Sequence, residues 1–220
     1  MNAHVELISQ PGIRLADGAA MGRRQFGELV YLDRASRSEA EAAVRTLIRW
    51  AGDDPSRPGL IDTPARVARA YEEWFRGYGD DPEALLERTF DEIGGYDGPV
   101  ELRDIPLQSF CEHHMAAIQG RVHIAYLPVD RGVGISKLVR LVEAFARRLQ
   151  IQERLTGEIA ATIDKVLRPR GVAVVIEAEH ACMTSRGVNS HSTRMVTKHV
   201  LGAYRDDADL RREFLSSLWL

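Results

Sequence analysis

Both cysteines of this 220-residue chain, and three of its seven histidines, stand in two short segments, Cys111-Glu112-His113-His114 and His180-Ala181-Cys182. If the two segments serve one metal ion, the fold must bring together stretches far apart in sequence. Cys111 and His114 have the Cys-x-x-His spacing with which one turn aims a thiolate and an imidazole at a single ion, and Cys182 is the only other thiol. Three protein ligands leave a position for water, the pattern of a catalytic zinc, whereas four close a structural site. Spacing alone leaves both open, because His113 or His180 would serve as a fourth ligand. A disulfide between the cysteines and an inert buried thiol are the plainer readings. Neither accounts for the histidines, and a reducing compartment disfavours the first.

The surrounding chain reads as α+β. Residues 1–36 contain Pro11, Gly12, Gly18 and Gly22 without sustained periodicity, and are expected to be a mobile extension. A helical region is expected over 37–95. In it Ser38-Glu39-Ala40-Glu41 has the capping-box pattern ahead of Val44, Leu47, Ile48 and Ala51. Thr63-Pro64 then opens a second helix striped by Val67, Ala70, Tyr71, Trp74 and Phe75. These helices are expected to pair, with a short third over 82–90.

From about residue 96 the grammar changes. Val100-Glu101-Leu102-Arg103 begins to alternate, and 120–127 reads as a strand. Two helices follow, the first striped by Leu138, Leu141, Val142, Phe145 and Leu149, the second by Leu155, Ile159, Ile163, Val166 and Leu167. Strands return over 171–182 and 193–203, and a closing helix over 207–218 presents Leu210, Phe214 and Leu218. This order implies an antiparallel sheet with helices on one face, placed in a catalytic domain over 96–220.

Charge narrows the partners. A formal net charge of -3 lacks the basic excess that a nucleic-acid backbone attracts, so an anionic partner is expected to be small and held by local Lys and Arg clusters. No stretch approaches the roughly 20 apolar residues of a membrane span, and residues 1–20 lack the basic start and apolar core of a signal peptide. No membrane partner is expected, and the compartment expected is the cytosol.

On a strand, residues two apart share a face, so His180 and Cys182 are expected to project together with Ile176 and Ala178. With zinc on Cys111, His114 and Cys182, water gains a pKa of about 7, and His113 and His180 stay free for proton transfer, an unperturbed imidazole titrating at about 6.5. Downstream, Gly134-Ile135-Ser136-Lys137 introduces a helix with Ser136 as N-cap and Lys137 in the first turn, an arrangement that suits phosphate. Arg140 lies one turn on and Arg186 just after Cys182; any one of these cations taken alone is most often a solvated surface charge. Gln152-Glu153-Arg154 opens the next helix. There Glu153 either complements the helix dipole or acts as a two-point acceptor for adjacent N–H donors, such as N1–H and the 2-amino group of guanine. His4, His123, His191 and His199 receive no role.

These segments, taken together, resemble the GTP cyclohydrolase I family. The similarity covers roughly residues 38–218 and is densest in Ser109-Phe110-Cys111-Glu112-His113-His114, Gly134-Ile135-Ser136-Lys137, Gln150-Ile151-Gln152-Glu153-Arg154-Leu155-Thr156, and His180-Ala181-Cys182-Met183 with Ser185-Arg186-Gly187. The resemblance implies Cys111, His114 and Cys182 as zinc ligands and His113 and His180 as acid and base groups. Gln152 and Glu153 would hold the guanine edge, and Ser136, Lys137, Arg140 and Arg186, joined by Arg66, the triphosphate. It implies the tunnelling fold, an antiparallel four-stranded sheet with two helices on one face, and a homodecamer with active sites at subunit junctions. The implied reaction is attack of zinc-activated water at C8 of GTP, ring opening with loss of that carbon as formate, ribose rearrangement, and closure to 7,8-dihydroneopterin triphosphate. That is a first step toward tetrahydrofolate and other pterins. A nitrile reductase of the same fold would want a metal-free thiolate, against which His114 and Cys182 argue. A non-catalytic binding protein stabilised by a closed zinc site is the remaining alternative.

Overall fold

The computed structural model describes residues 21–25, 28–32, 34–90, 95–129 and 131–218, and the chain divides into two units, Met1–Pro64 and Ala65–Leu220. In the first unit β1 (Met21–Gln25) pairs antiparallel with β2 (Glu28–Leu32), Met21 opposite Leu32. These strands fall within 1–36, where no element was expected; Leu29-Val30-Tyr31-Leu32 is the β-prone run that supplies one of them. Residues 1–20 lie outside the described residues. Helix α1 (Arg37–Trp50) is capped by Ser36, not Ser38: Ser36 Oγ accepts from the Glu39 N–H at 3.3 Å and Glu39 Oε2 accepts from the Ser36 N–H at 2.7 Å. The sequence offers the Ser-x-x-Glu pattern twice, and the earlier copy wins because both reciprocal bonds form there. None of the residues of α1 is buried, and Trp50 is 87% exposed.

Helix α2 (Thr63–Trp74) starts at the junction of the units with Pro64 in its first turn. A 3-10 turn, Arg76–Gly79, leads to α3 (Pro82–Glu87), whose N-cap Asp81 accepts from two backbone N–H groups. Strand β3 (Thr89–Phe90) pairs with β6 (Gly132–Val133). The main sheet has the order β7-β4-β5-β8-β9, built from β4 (Val100–Cys111), β5 (Ala117–Leu127), β7 (Leu149–Gln150), β8 (Gly171–His180) and β9 (Met195–Gly202). Its four long strands are antiparallel, and two-residue β7 adds parallel to the end of β4. Leu149 therefore leaves the preceding helix, where periodicity had placed it, and joins the sheet. Among the described residues β4 has no neighbour on its outer side at Pro106, an edge position that tolerates its missing N–H.

The two faces follow from alternation along the strands. Ile118, Val122, Ile124 and Tyr126 of β5 point to one side with Val172, Val174 and Ile176 of β8, and α4 (Ile135–Ala146) and α5 (Gln152–Leu167) cover them with Leu138, Leu141, Phe145, Leu155, Ile159 and Ile163. Fully buried side chains of this size each contribute about 1.5–3 kcal/mol. Ala125, Leu127, Ala173 and Val175 point the other way, against Tyr204 of α7 (Ala203–Asp206) and Phe214 of α8 (Ala208–Ser217). Burial on both sides explains why β8 begins as an unbroken apolar run. Four long antiparallel strands with two helices on one face form the α+β, tunnelling-fold layout expected for this part of the chain. Among the described residues no helix is long and apolar enough to cross a membrane.

His123, given no role from sequence, is only 5% exposed, and its Nδ1 accepts from the N–H of Asp104 at 3.2 Å, at a bulge where Asp104 has φ 56°. Burial lowers its pKa below 6.5, against the opposing charges of Asp104 and Glu177. Because the folded chain favours the neutral ring, this contribution to stability is complete above about pH 6.5 and is lost as pH falls through the lower folded value. The thermal midpoint is expected to drop on mild acidification, and a His123→Gln variant should show a flatter profile over that range; unchanged slopes would contradict the assignment.

Candidate metal centre

Strand β4 delivers Cys111 to a tight turn. The Met115 N–H donates to the Cys111 carbonyl and the Cys111 N–H to the Ala116 carbonyl, each at 2.8 Å, with Met115 in the left-handed region at φ 53°. The turn projects Glu112, His113 and His114 outward while Cys111 stays buried. It is braced from β7 and α5: the Glu112 N–H donates to the carbonyl of Gln150 of β7 at 3.0 Å, and Arg154 of α5 reaches Glu112 Oε2 at 2.5 Å and Gln150 Oε1 at 3.1 Å. This brace was not found from sequence, since Glu112 and Arg154 stand 42 positions apart and no local pattern pairs them.

The third candidate ligand, Cys182, follows β8 and does not belong to it. The strand ends at His180, and Ala181–Thr184 form a helical turn, α6, closed by donation from Ser185 N–H and Oγ to the Ala181 carbonyl. Cys182 thus sits on a turn and shares no strand face with His180. The turn carries its thiol to the β4–β5 corner. There the ligand atoms of Cys111, His114 and Cys182 all lie within 4.8 Å of one another. Burial, and then the neighbouring Cys111, push the Cys182 thiol above its ordinary value.

The donor set fits a thiophilic dication. Bonds of about 2.3 Å to sulfur and 2.0–2.1 Å to nitrogen place tetrahedral ligand atoms about 3.5–3.8 Å apart, so the cluster needs only a small contraction. Two thiols and an imidazole favour zinc over the oxygen-seeking magnesium or calcium.

Around the cluster, His113 Nδ1 lies 3.8 Å from Cys111 Sγ, and the planes of the His113 and His114 rings are inclined at 81°. Arg186 Nη1 donates to His114 Nε2 at 2.9 Å. His180 Nε2 lies 2.8 Å from Gln152 Oε1, and its pKa is lowered by burial against the opposing charge of Glu153. Gln152 is 1% exposed, and its side-chain nitrogen lies within hydrogen-bond distance of the Ile176 and Met195 carbonyls and of Thr197 Oγ1. Glu153 beside it is exposed.

The expected phosphate residues stand elsewhere. Helix α4 begins at Ile135 with Gly134 as N-cap and no side-chain cap bond, so Ser136 is an exposed residue of the first turn and not the cap. The end of β5, Leu127, pairs with the start of β8, whereas Phe110 at the metal end of β4 pairs with β7, which follows the C-terminus of α4. The start of α4 therefore lies at the opposite end of the sheet from the metal turn, with a helix of about 18 Å between them. Lys137 Nζ donates there to the Leu85 carbonyl at 2.9 Å, and Arg140 is exposed one turn on. Arg66 is exposed on α2, two turns before Trp74, whose ring stacks on Phe110 at 5.3 Å. Within one chain, then, the candidate metal ligands, His113, His180, Gln152, Glu153 and Arg186 gather at one end, and Ser136 and Lys137 mark the other.

Comparison with known proteins gives this arrangement a family. The family model for GTP cyclohydrolase I matches residues 40–218. Proteins named GTP cyclohydrolase 1 from Hyphomonas neptunium and Maricaulis maris are 55% and 52% identical over 183 residues, each covering 83% of this chain and 89% of the relative. Among solved structures, an archaeosine synthase QueF-like protein in the apo form aligns with 49% of this chain and 96% of its own, at 15% identity and a TM-score of 0.41. By the match that spans both metal segments and everything between them, the chain belongs to the GTP cyclohydrolase I family.

Proposed function

We propose that this chain is a zinc-dependent GTP cyclohydrolase I that converts GTP to 7,8-dihydroneopterin triphosphate and formate, a first step toward tetrahydrofolate and related pterins. The observation that carries the reading is the convergence of Cys111, His114 and Cys182 within 4.8 Å, beside His113 and His180 that remain outside the ligand set. When bound there, zinc supplies the Lewis acidity that lets water act as a nucleophile near neutral pH. The protein's own groups do the rest. His113 and His180 take and deliver the protons that ring opening and reclosure require. The Glu153 carboxylate receives N1–H and the 2-amino group of guanine, and so fixes which edge of the base faces the cluster. Binding energy from the remote triphosphate holds C8 in place.

The triphosphate side of the site is proposed to come from a second chain. Ser136, Lys137 and Arg140 stand a helix length from the metal turn, so a substrate touching both ends of this set must lie across a junction between copies, with Arg66 and Arg186 adding charge. A homo-oligomer, decameric by family resemblance, provides such junctions, and the exposed Leu47 and Trp50 of α1 are in keeping with assembly. Both cysteines are free thiols, in keeping with a cytoplasmic enzyme.

Incubating the assembled, zinc-loaded protein with GTP should release formate and a fluorescent pterin in equal amounts. Such a preparation releasing neither would sink the reading. Mixing subunits inactivated by Cys182→Ser with subunits inactivated by Lys137→Ala should restore part of the activity, since some junctions then carry both intact halves; no recovery after verified subunit exchange would return the phosphate site to a single chain.

A further inference from the structure

The amide of Gln152 is oriented by its neighbours with no freedom left. Its nitrogen faces two backbone carbonyls, Ile176 of β8 at 3.1 Å and Met195 of β9 at 3.0 Å, and a carbonyl only accepts. Turning the amide over would set Oε1 against both oxygens. The surrounding hydroxyls agree. Thr156 Oγ1 donates its one proton to the Gln152 main-chain carbonyl at 2.7 Å, so in the 2.6 Å contact between Thr156 and Thr197 the donor is Thr197. Thr197 Oγ1 is then left as an acceptor toward the amide nitrogen, 3.1 Å away. With the nitrogen committed to the strands, Oε1 is the atom that meets His180 Nε2 at 2.8 Å, and an acceptor there requires the ring nitrogen to carry the proton.

We propose that Gln152 is a positioning residue, whose side-chain carbonyl holds the His180 ring with its proton on Nε2 and so makes Nδ1 the nitrogen that exchanges protons with substrate. The inference rests on His180 being a proton carrier at the GTP site. It also gives Gln152 a task different from the guanine contact expected from sequence. At 1% exposure, with both polar atoms of the amide engaged inside the chain, the side chain has nothing to offer a base, whereas exposed Glu153 next to it does. Clamping the amide between α5, β8 and β9 ties the ring to the main sheet, as the group that orients a catalytic histidine must be held in turn.

Gln152→Leu, which keeps the bulk and removes both polar atoms, tests this in the full-length, zinc-loaded enzyme. We expect kcat to fall by about a hundredfold, within the range for losing an aligned acid–base group, with KM for GTP changed less than about threefold and zinc content unchanged. A raised KM with kcat intact would mark a guanine contact and overturn the proposal. Should the variant fail to fold, nitrogen-15 NMR of histidine-labelled wild-type protein, with the His180 signals assigned by their loss in His180→Asn, reads the tautomer directly. A protonated Nε2 and a lone pair on Nδ1 are expected, and the reverse overturns the proposal. That readout needs no substrate, so a wild-type protein that releases no formate would refute the GTP reading while the tautomer still tests Gln152.

Discussion

Replacing Cys182 with serine is expected to remove zinc and activity together. Cys182 is half-buried on a short turn whose backbone is fixed by its own bonds, so an isosteric serine keeps the turn and packs in the same space. What changes is the donor: a hydroxyl does not ionise in this setting, and the ion would be left with Cys111 and His114. Removing a partner that merely orients a metal ligand lowers affinity or activity about 10–100-fold, and losing a ligand outright should exceed that. We therefore expect zinc stoichiometry near zero after dialysis and formate release down by more than about a hundredfold, with the metal-free forms of variant and parent unfolding at similar temperatures. A variant with tightly bound zinc and full activity would overturn the ligand set. The thiol chemistry adds a signature. Burial holds the Cys182 proton on more firmly than usual, so zinc must displace it, and metal uptake releases acid. Zinc affinity measured against a competing chelator should accordingly weaken as pH falls.

Much of the site was legible because its chemistry sits in types and spacings that survive folding unchanged. Cys111-x-x-His114 is a turn motif, and a turn is what β4 and β5 make of it. The last thiol then had to be Cys182. Where the sequence misled, tertiary context decided. An apolar run followed by Glu-Ala-Glu-His-Ala-Cys reads as continued strand, but pairing with β5 ends where Ile118 meets His180, and without a partner the chain curls into α6. Gln152 beside Glu153 reads as a polar pair at a helix start. Which of the two turns inward depends on carbonyls of β8 and β9 that no local pattern announces. The separation of Ser136 and Lys137 from the metal was hidden for another reason. Nearness in sequence says nothing about which end of a sheet a helix begins at, and only the strand register shows that α4 starts at the far one.

Gly120 carries the largest structural demand near the site, and Gly120→Ala is expected to unseat it. In the register of β5 on β8, Gly120 faces Ala178, two steps from the pair Ile118 and His180. A methyl group built on Gly120 would lie 2.0 Å from the Glu177 carbonyl oxygen and 2.6 Å from Ala178 Cα. Those are backbone atoms, so no rotamer change relieves the contact and the strands themselves must separate. Overpacking that side chains can absorb costs about 1–3 kcal/mol; here we expect about 3 kcal/mol or more, and a thermal midpoint lower by roughly 6–12 °C. Gly79 supplies the control, since a methyl group there meets nothing within 4 Å, and Gly79→Ala should behave as the parent does. Parting the strands at Ala178 also moves His180 away from the Gln152 amide and Cys182 away from Cys111. Activity in whatever Gly120→Ala protein folds should therefore fall further than its zinc content, because proton transfer needs closer alignment than ligation does. Equal midpoints for the Gly120 and Gly79 variants would show that β5 and β8 are not held at this distance, and would remove the geometry on which the placement of His180 depends.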